Sequence, residues 1–230
     1  MLCVPSPNQE QAHKAMLVKL SPMIGGEFLP NGSELSEIQF GNMGEFISSF
    51  IGEDAVDYLV ECHCDARNAY NPLNPISVSG VDLMWVQFGT LPSEDRLYIQ
   101  EVKTTSQSNL SIANGLIDDY EKLFGTDQNV SLKSRVSLLK VKVRSEWKRP
   151  DLAQRCTKFV GVEPTECDNV TILPTVVFDS DIAEKNVAVG RLTYVQTTLL
   201  GRGWTKNQIE VFGISLSSLR ETISELAWGK

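Results

Sequence analysis

Gly80-Val-Asp82-Leu-Met-Trp-Val-Gln-Phe88 and Leu97-Tyr-Ile-Gln-Glu101-Val-Lys103-Thr104, separated by the polar turn Gly89-Thr-Leu-Pro-Ser-Glu-Asp95, decide how this chain folds. Both runs are rich in the aromatic and branched residues that suit a strand, and the turn between them makes a hairpin. Asp82 stands at the entrance of the first run. Glu101 and Lys103 lie two apart in the second, so they share a strand face with Leu97 and Ile99. Tyr98 and Val102 make the other face apolar too, which reads as a central strand whose charges must be paired or hold a metal. Asp82 and Glu101 on adjacent strands bring two carboxylates together, and that raises one pKa unless a cation sits between them.

Upstream, Ser33 precedes Ile38, Met43, Phe46, Ile47, Phe50, Ile51, Leu59 and Val60, spaced as one face of a helix or of two consecutive helices with a break at Gly41 to Gly44. Gly41, Gly44, Ser48 and Gly52 form a stripe of small residues along which another backbone can come close. Glu45 lies beside that stripe. It has two readings: it closes a capping box opened by Asn42, or the helix docks on the hairpin and points Glu45 at Asp82 and Glu101. Residues 1–32 are broken by Pro and Gly and read as a loosely packed N-terminal arm with one short element around Ala12 to Leu20. Asn71-Pro-Leu-Asn-Pro75 is a turn leading into the hairpin.

Downstream, a polar run with Ser108 or Asn109 as cap opens a helix carrying Ile112, Leu116, Tyr120 and Leu123 or Phe124. Between Ser131 and Phe159 nine basic residues face only Glu146 and Asp151. Lys140, Lys142, Arg144, Lys148 and Arg149 are its candidate nucleic-acid contacts, with Trp147 available to stack on a base. A solvated helix face laced with salt bridges explains the same charges. Ser137 to Val143 fits helix and strand equally. Val170 to Phe178 reads as a strand in which Pro174 marks an edge, a bulge or the start. Ile209 to Leu216 reads as a last strand, followed by a helix opened by the capping box Ser218-Leu-Arg-Glu221.

The 230 residues, 42% of them hydrophobic and 22% charged, suit one α/β domain over residues 33–230, with a mixed sheet flanked by helices. No apolar run reaches the length of a membrane span and no cleavable leader is legible, so the expected location is the cytoplasm, with no membrane partner. Cys3, Cys62, Cys64, Cys156 and Cys167 are an odd, irregular set and read as reduced thiols rather than disulfides or a zinc knuckle. A net charge of −8 argues against a free-standing nonspecific DNA binder, so any contact with DNA is local or helped by a partner.

Two carboxylates with a lysine beside them suit a hard divalent ion such as Mg2+, with Mn2+ as a substitute. The lysine neutralises a bound phosphate and helps activate an attacking water, a combination that hydrolyses phosphodiesters. Gly80-x-Asp82 followed by Glu101-x-Lys103 resembles the core motif of the PD-(D/E)xK nuclease superfamily, without the proline of the name. The resemblance implies a restriction-endonuclease-like core and a Mg2+-dependent nuclease acting on DNA. It further implies Asp82 and Glu101 as metal ligands, Lys103 as the catalytic lysine and Glu45 as an additional acidic ligand. More narrowly, Gly41-x-x-Gly44-Glu45, Gly80-Val-Asp82, Glu101-Val-Lys103 and Pro174-Thr-Val-Val-Phe-Asp-Ser180 are similar to the nuclease subunits of Hachiman anti-phage defence systems. That likeness covers roughly residues 35–228 and implies a superfamily 2 helicase as partner. A nuclease-like fold without catalysis, kept as a DNA- or protein-binding scaffold, is the alternative, and RNA is the alternative substrate.

Overall fold

A computed structural model describes residues 9–55, 71–75, 82–125 and 131–230. Cys3, Cys62, His63 and Cys64 lie outside them. The hairpin is present as β1 (Leu83–Gln87) and β2 (Arg96–Thr105), joined through a 3-10 turn at Pro92–Glu94 and paired antiparallel from Leu83 opposite Gln100 to Gln87 opposite Arg96. β2 continues past the end of β1 and pairs parallel with β3 (Val170–Asp179), which pairs parallel with β4 (Phe212–Leu216). The sheet is therefore mixed, in the order β1-β2-β3-β4. β2 is interior, as its two apolar faces demand.

Alternation along β2 divides the core in two. Leu97 and Ile99, with Met84 and Val86 of β1, face one layer of helices: α3 (Gly115–Lys122), α4 (Leu132–Ser145), α5 (Pro150–Arg155) and α6 (Lys185–Gly201). Tyr98 and Val102, with Leu83 and Trp85, face the other: α1 (Gln9–Met23), α2 (Glu37–Ala55) and α7 (Leu219–Ala227). The result is an α/β/α sandwich in which each strand residue belongs to one layer by parity. Ser137 to Val143 is helical, with Leu139 and Val143 inward. α6 has no counterpart in the sequence reading above. It packs Leu192, Val195 and Leu199 inward but leaves Val187, Val189, Tyr194 and Leu200 exposed, which blurs its periodicity.

Several local expectations change. α2 is continuous through Gly41 and Gly44, and its capping box is Ser36 with Gln39: Gln39 N–H donates to Ser36 Oγ at 3.2 Å and Ser36 N–H to Gln39 Oε1 at 3.0 Å. Asn42 is an interior residue, donating from Nδ2 to the Asn74 carbonyl at 3.1 Å. The expected arm contributes α1, whose Met16 and Leu20 are buried in the second layer. Pro174 sits inside the buried β3. It falls between the isolated Ile172–Ile209 bridge and the Thr175–Phe212 pair where β4 begins, so the interruption of that ladder coincides with the residue that has no N–H to donate. Ser218 makes no side-chain cap. Asp179 accepts the Leu219 N–H at 2.9 Å and Asp181 the Ser218 N–H at 2.8 Å, so the strand end caps α7. Neither Ser108 nor Asn109 caps the next helix: the 3-10 turn Ser111–Asn114 that leads into α3 starts after Leu110 with no side-chain cap, and Asn109 only accepts the Ser111 N–H at 3.0 Å in a local turn.

The close approach expected along the small-residue stripe happens at Gly44. A Cβ on Gly44 would lie 1.7 Å from Thr104 Oγ1, whereas one on Gly41 would meet nothing within 4 Å. Gly44→Ala should therefore push α2 off β2 and destabilise the protein by about 1–3 kcal/mol. Gly41→Ala should stabilise it by about 1 kcal/mol through helix propensity alone. Urea unfolding of the two variants beside the parent checks both signs.

Candidate active site

Asp82 immediately precedes β1, whose first residue, Leu83, pairs with Gln100. Parity puts Asp82, Glu101 and Lys103 on the side of the sheet that carries Met84, Val86, Leu97 and Ile99. There β2 has run past its β1 partner, and Asp82 Oδ2 accepts the Val102 N–H at 2.7 Å. The carboxylate thus takes the place of the next strand rung and is held beside Glu101.

Glu101 is only 4% exposed. Burial drives its carboxyl well above the usual range, the charges of Asp82 and Asp119 push it further, Lys103 partly offsets them, and Glu45 adds a last increment. Of the four candidates, Asp82, Glu101 and Lys103 thus meet at the end of the hairpin. Glu45 approaches from the opposite helical layer, beside the point where Gly44 touches Thr104 and β2 is free of β1. Its capping role does not apply, because α2 begins at Glu37.

Asp119 was not anticipated. α3 turns it toward β2, where it makes an ion pair with Lys103 at 2.6 Å and a second with Lys122 at 2.7 Å. Burial alone would raise the Asp119 carboxyl, but the two ammoniums outweigh it and hold it below the ordinary value. For Lys103, burial alone would lower the pKa; Asp119, then Asp82 and Glu101, outweigh it and keep the ammonium charged. The neighbouring Tyr120 is fully buried, accepts the Glu101 N–H at 3.1 Å and donates to the Ile99 carbonyl at 3.3 Å. That hook fixes α3 against the strand carrying the site. A helix residue one step from a buried tyrosine was the only trace of Asp119 in the sequence.

Among the described residues no three Asp, Glu, His or Cys side chains stand close enough to form a ready metal cluster. The donor set nonetheless fits a hard divalent cation: Glu101 is a buried carboxylate surrounded by like charge, and the nearest ammonium is paired to Asp119.

The basic segment does not form one face. Arg155 and Lys158 are spent on Asp95, whose side chain is completely buried: Arg155 Nε donates at 3.0 Å, Arg155 Nη2 makes a second contact, Lys158 Nζ lies 3.0 Å away and the Gly89 N–H donates at 3.0 Å. Arg149 pairs with Asp151 at 2.7 Å, Lys142 lies 3.9 Å from Glu146, and Arg135 is buried. Lys140 is half-buried, and Arg144 and Lys148 are exposed. Trp147, expected as a stacking platform, packs edge-on against Phe88 at 6.5 Å. Phe88 follows the far end of β1, so this group lies about 20 Å along the hairpin from Asp82. Cys156 and Cys167 are buried free thiols, pushed up to about 11 by burial.

No protein-family model matches the chain, and none of the curated proteins compared with it matches in sequence. The site therefore stands on its own geometry.

A carboxyl whose pKa is raised by folding supports the native state only while protonated, and that support is lost as pH rises through the folded value. In metal-free buffer Glu101→Gln should consequently raise the melting temperature at pH 8 and have little effect at pH 4. Thermal unfolding in EDTA across that range checks the sign; a variant that melts below the parent at pH 8 contradicts the site's electrostatics.

Proposed function

We propose that this chain is a metal-dependent nuclease that hydrolyses phosphodiester bonds in DNA. The observation that carries the proposal is the meeting of Asp82, Glu101 and Lys103 on one face of the sheet, just past the Leu83–Gln100 pair. Asp82 and Glu101 would hold Mg2+ or Mn2+, with Glu45 reaching the rim from α2. When bound, such an ion supplies Lewis-acid stabilisation of the charge that builds on a phosphodiester under attack. Lys103, charged and held beside the carboxylates, offers its remaining donors to the scissile phosphate and to the attacking water. The flanking apolar layers limit water around that ammonium and so strengthen its field.

The finer reading is a defence nuclease working with a superfamily 2 helicase, in a restriction-endonuclease-like core. It rests on the Hachiman-like motifs described above. Two facts support a need for a DNA-holding partner: the chain carries a net charge of −8, and Arg155 and Lys158 are consumed by Asp95 inside the fold. No described helix is long and apolar enough to cross a membrane. A scaffold without catalysis is the second reading, favoured by the Lys103–Asp119 pair, which occupies one of the lysine's donors.

The full chain, alone and with a candidate helicase, should cut labelled DNA in Mg2+ or Mn2+ and not in EDTA. Lys103→Ala and Glu101→Gln should each reduce cutting by about 100-fold or more. Equal cutting by parent and variants would remove this site from the activity. No cutting, together with DNA retention that falls on substituting Lys140, Lys142 and Arg144, would favour the scaffold; an RNA arm of the same assay reads substrate class.

A further inference from the structure

Lys103 and Glu101 stand two apart on one strand face, about 7 Å between Cα atoms, so a lysine side chain can easily fold back onto the glutamate. Asp82 is on the same side, and both carboxylates act on Lys103. Left to itself, the ammonium would settle between Asp82 and Glu101, in the space a divalent cation needs. It does not do so, because Asp119 on α3 holds Nζ at 2.6 Å. The stem of Lys103 runs along the start of α3, where a Cβ on Gly115 would lie 3.3 Å from Lys103 Cε. The other oxygen of Asp119 pairs with Lys122 at 2.7 Å, so both oxygens are already occupied by cations. An acidic side chain so occupied is poorly disposed to bind a metal and well disposed to anchor a lysine.

We propose that Asp119 is a positioning residue that draws Lys103 off Asp82 and Glu101, so that the ammonium stays at the edge of the site and does not compete with a divalent cation for the two carboxylates. The inference rests on the nuclease reading of that site and assigns Asp119 a part in metal affinity without making it a ligand. α3 serves as the arm that carries it, fixed to β2 by Tyr120.

Calorimetric titration of the full chain with Mn2+ alone tests this without any substrate. Asp119→Asn should weaken Mn2+ binding by about tenfold or more, the usual cost of losing a group that supports metal ligands. Lys103→Met should bind at least as tightly as the parent, and Asp119→Asn with Lys103→Met should return to the Lys103→Met affinity, because no ammonium remains to compete. Asp119→Glu, which keeps a carboxylate on the same helix position, should bind within about threefold of the parent; it is measured alongside so that a folding defect of the Asn variant does not decide the outcome. The inference is overturned if Asp119→Asn binds like the parent, if Asp119→Glu loses as much as Asn is expected to, or if the double variant stays as weak as Asp119→Asn, which would make Asp119 a ligand. A parent chain that binds no Mn2+ overturns the nuclease reading itself and this inference with it.

Discussion

A charged pair on a strand covered from both sides is costly unless something pays its desolvation, and β2 carries two such charges at Glu101 and Lys103. The surrounding structure is arranged around that cost. β1 begins at Leu83, opposite Gln100, and just before it Asp82 accepts the Val102 N–H of β2. α3 sets Asp119 against Lys103, and Tyr120 ties the helix to the backbone of the same strand. Lys103 thereby gains a partner, whereas Glu101 gains mainly like charge. The imbalance is local and directional: the fold supplies an anion for the lysine and leaves the buried glutamate facing other carboxylates.

The opposite end of the hairpin shows what full compensation looks like in the same protein. Asp95, at the entrance to β2, is as buried as Glu101, yet it is met by Arg155, Lys158 and the Gly89 N–H, with no second carboxylate pressing on it in those contacts. A buried acid that is satisfied in this way supports the fold, since removal of its partners would strand it without solvent. Glu101 lacks such a set. The two ends of one strand therefore separate a buried acid satisfied within the fold from one pressed by like charge.

Much of this was legible in the residues. Period-2 spacing placed Glu101 and Lys103 on one face, apolar content on both faces made β2 interior, and the turn at Asn71 to Pro75 appears as the Leu73 N–H donating to Asn71 Oδ1 at 2.8 Å. Helix caps were harder, because Ser, Asn and Glu are common and a cap depends on which N–H lies within reach. Asn42 and Ser218 had suitable spacing, but Ser36 opens α2 and the carboxylates of Asp179 and Asp181 open the last helix from a distant strand. Part of the basic segment turns inward for a related reason. A count of positive residues is blind to a buried counter-ion, and Asp95 lies far from Arg155 and Lys158 in sequence.

Asp119 was hidden by the same gap between local pattern and tertiary contact. Asp118-Asp119 before a tyrosine reads as the solvated side of a short helix, and Asp118 is indeed exposed. The helix packs Leu116, Ile117 and Tyr120 inward, and a step of one residue turns a helix by about 100°, which brings Asp119 to the margin of the buried face. Whether that margin looks at solvent or at a functional group depends on where Tyr120 docks. Since its hydroxyl docks at Glu101 N–H and the Ile99 carbonyl, Asp119 is delivered to the residue two further along the strand, Lys103. One buried hydroxyl thus couples the packing of α3 to the disposition of the site: moving the helix would withdraw the carboxylate that Lys103 pairs with before it disturbed Asp82.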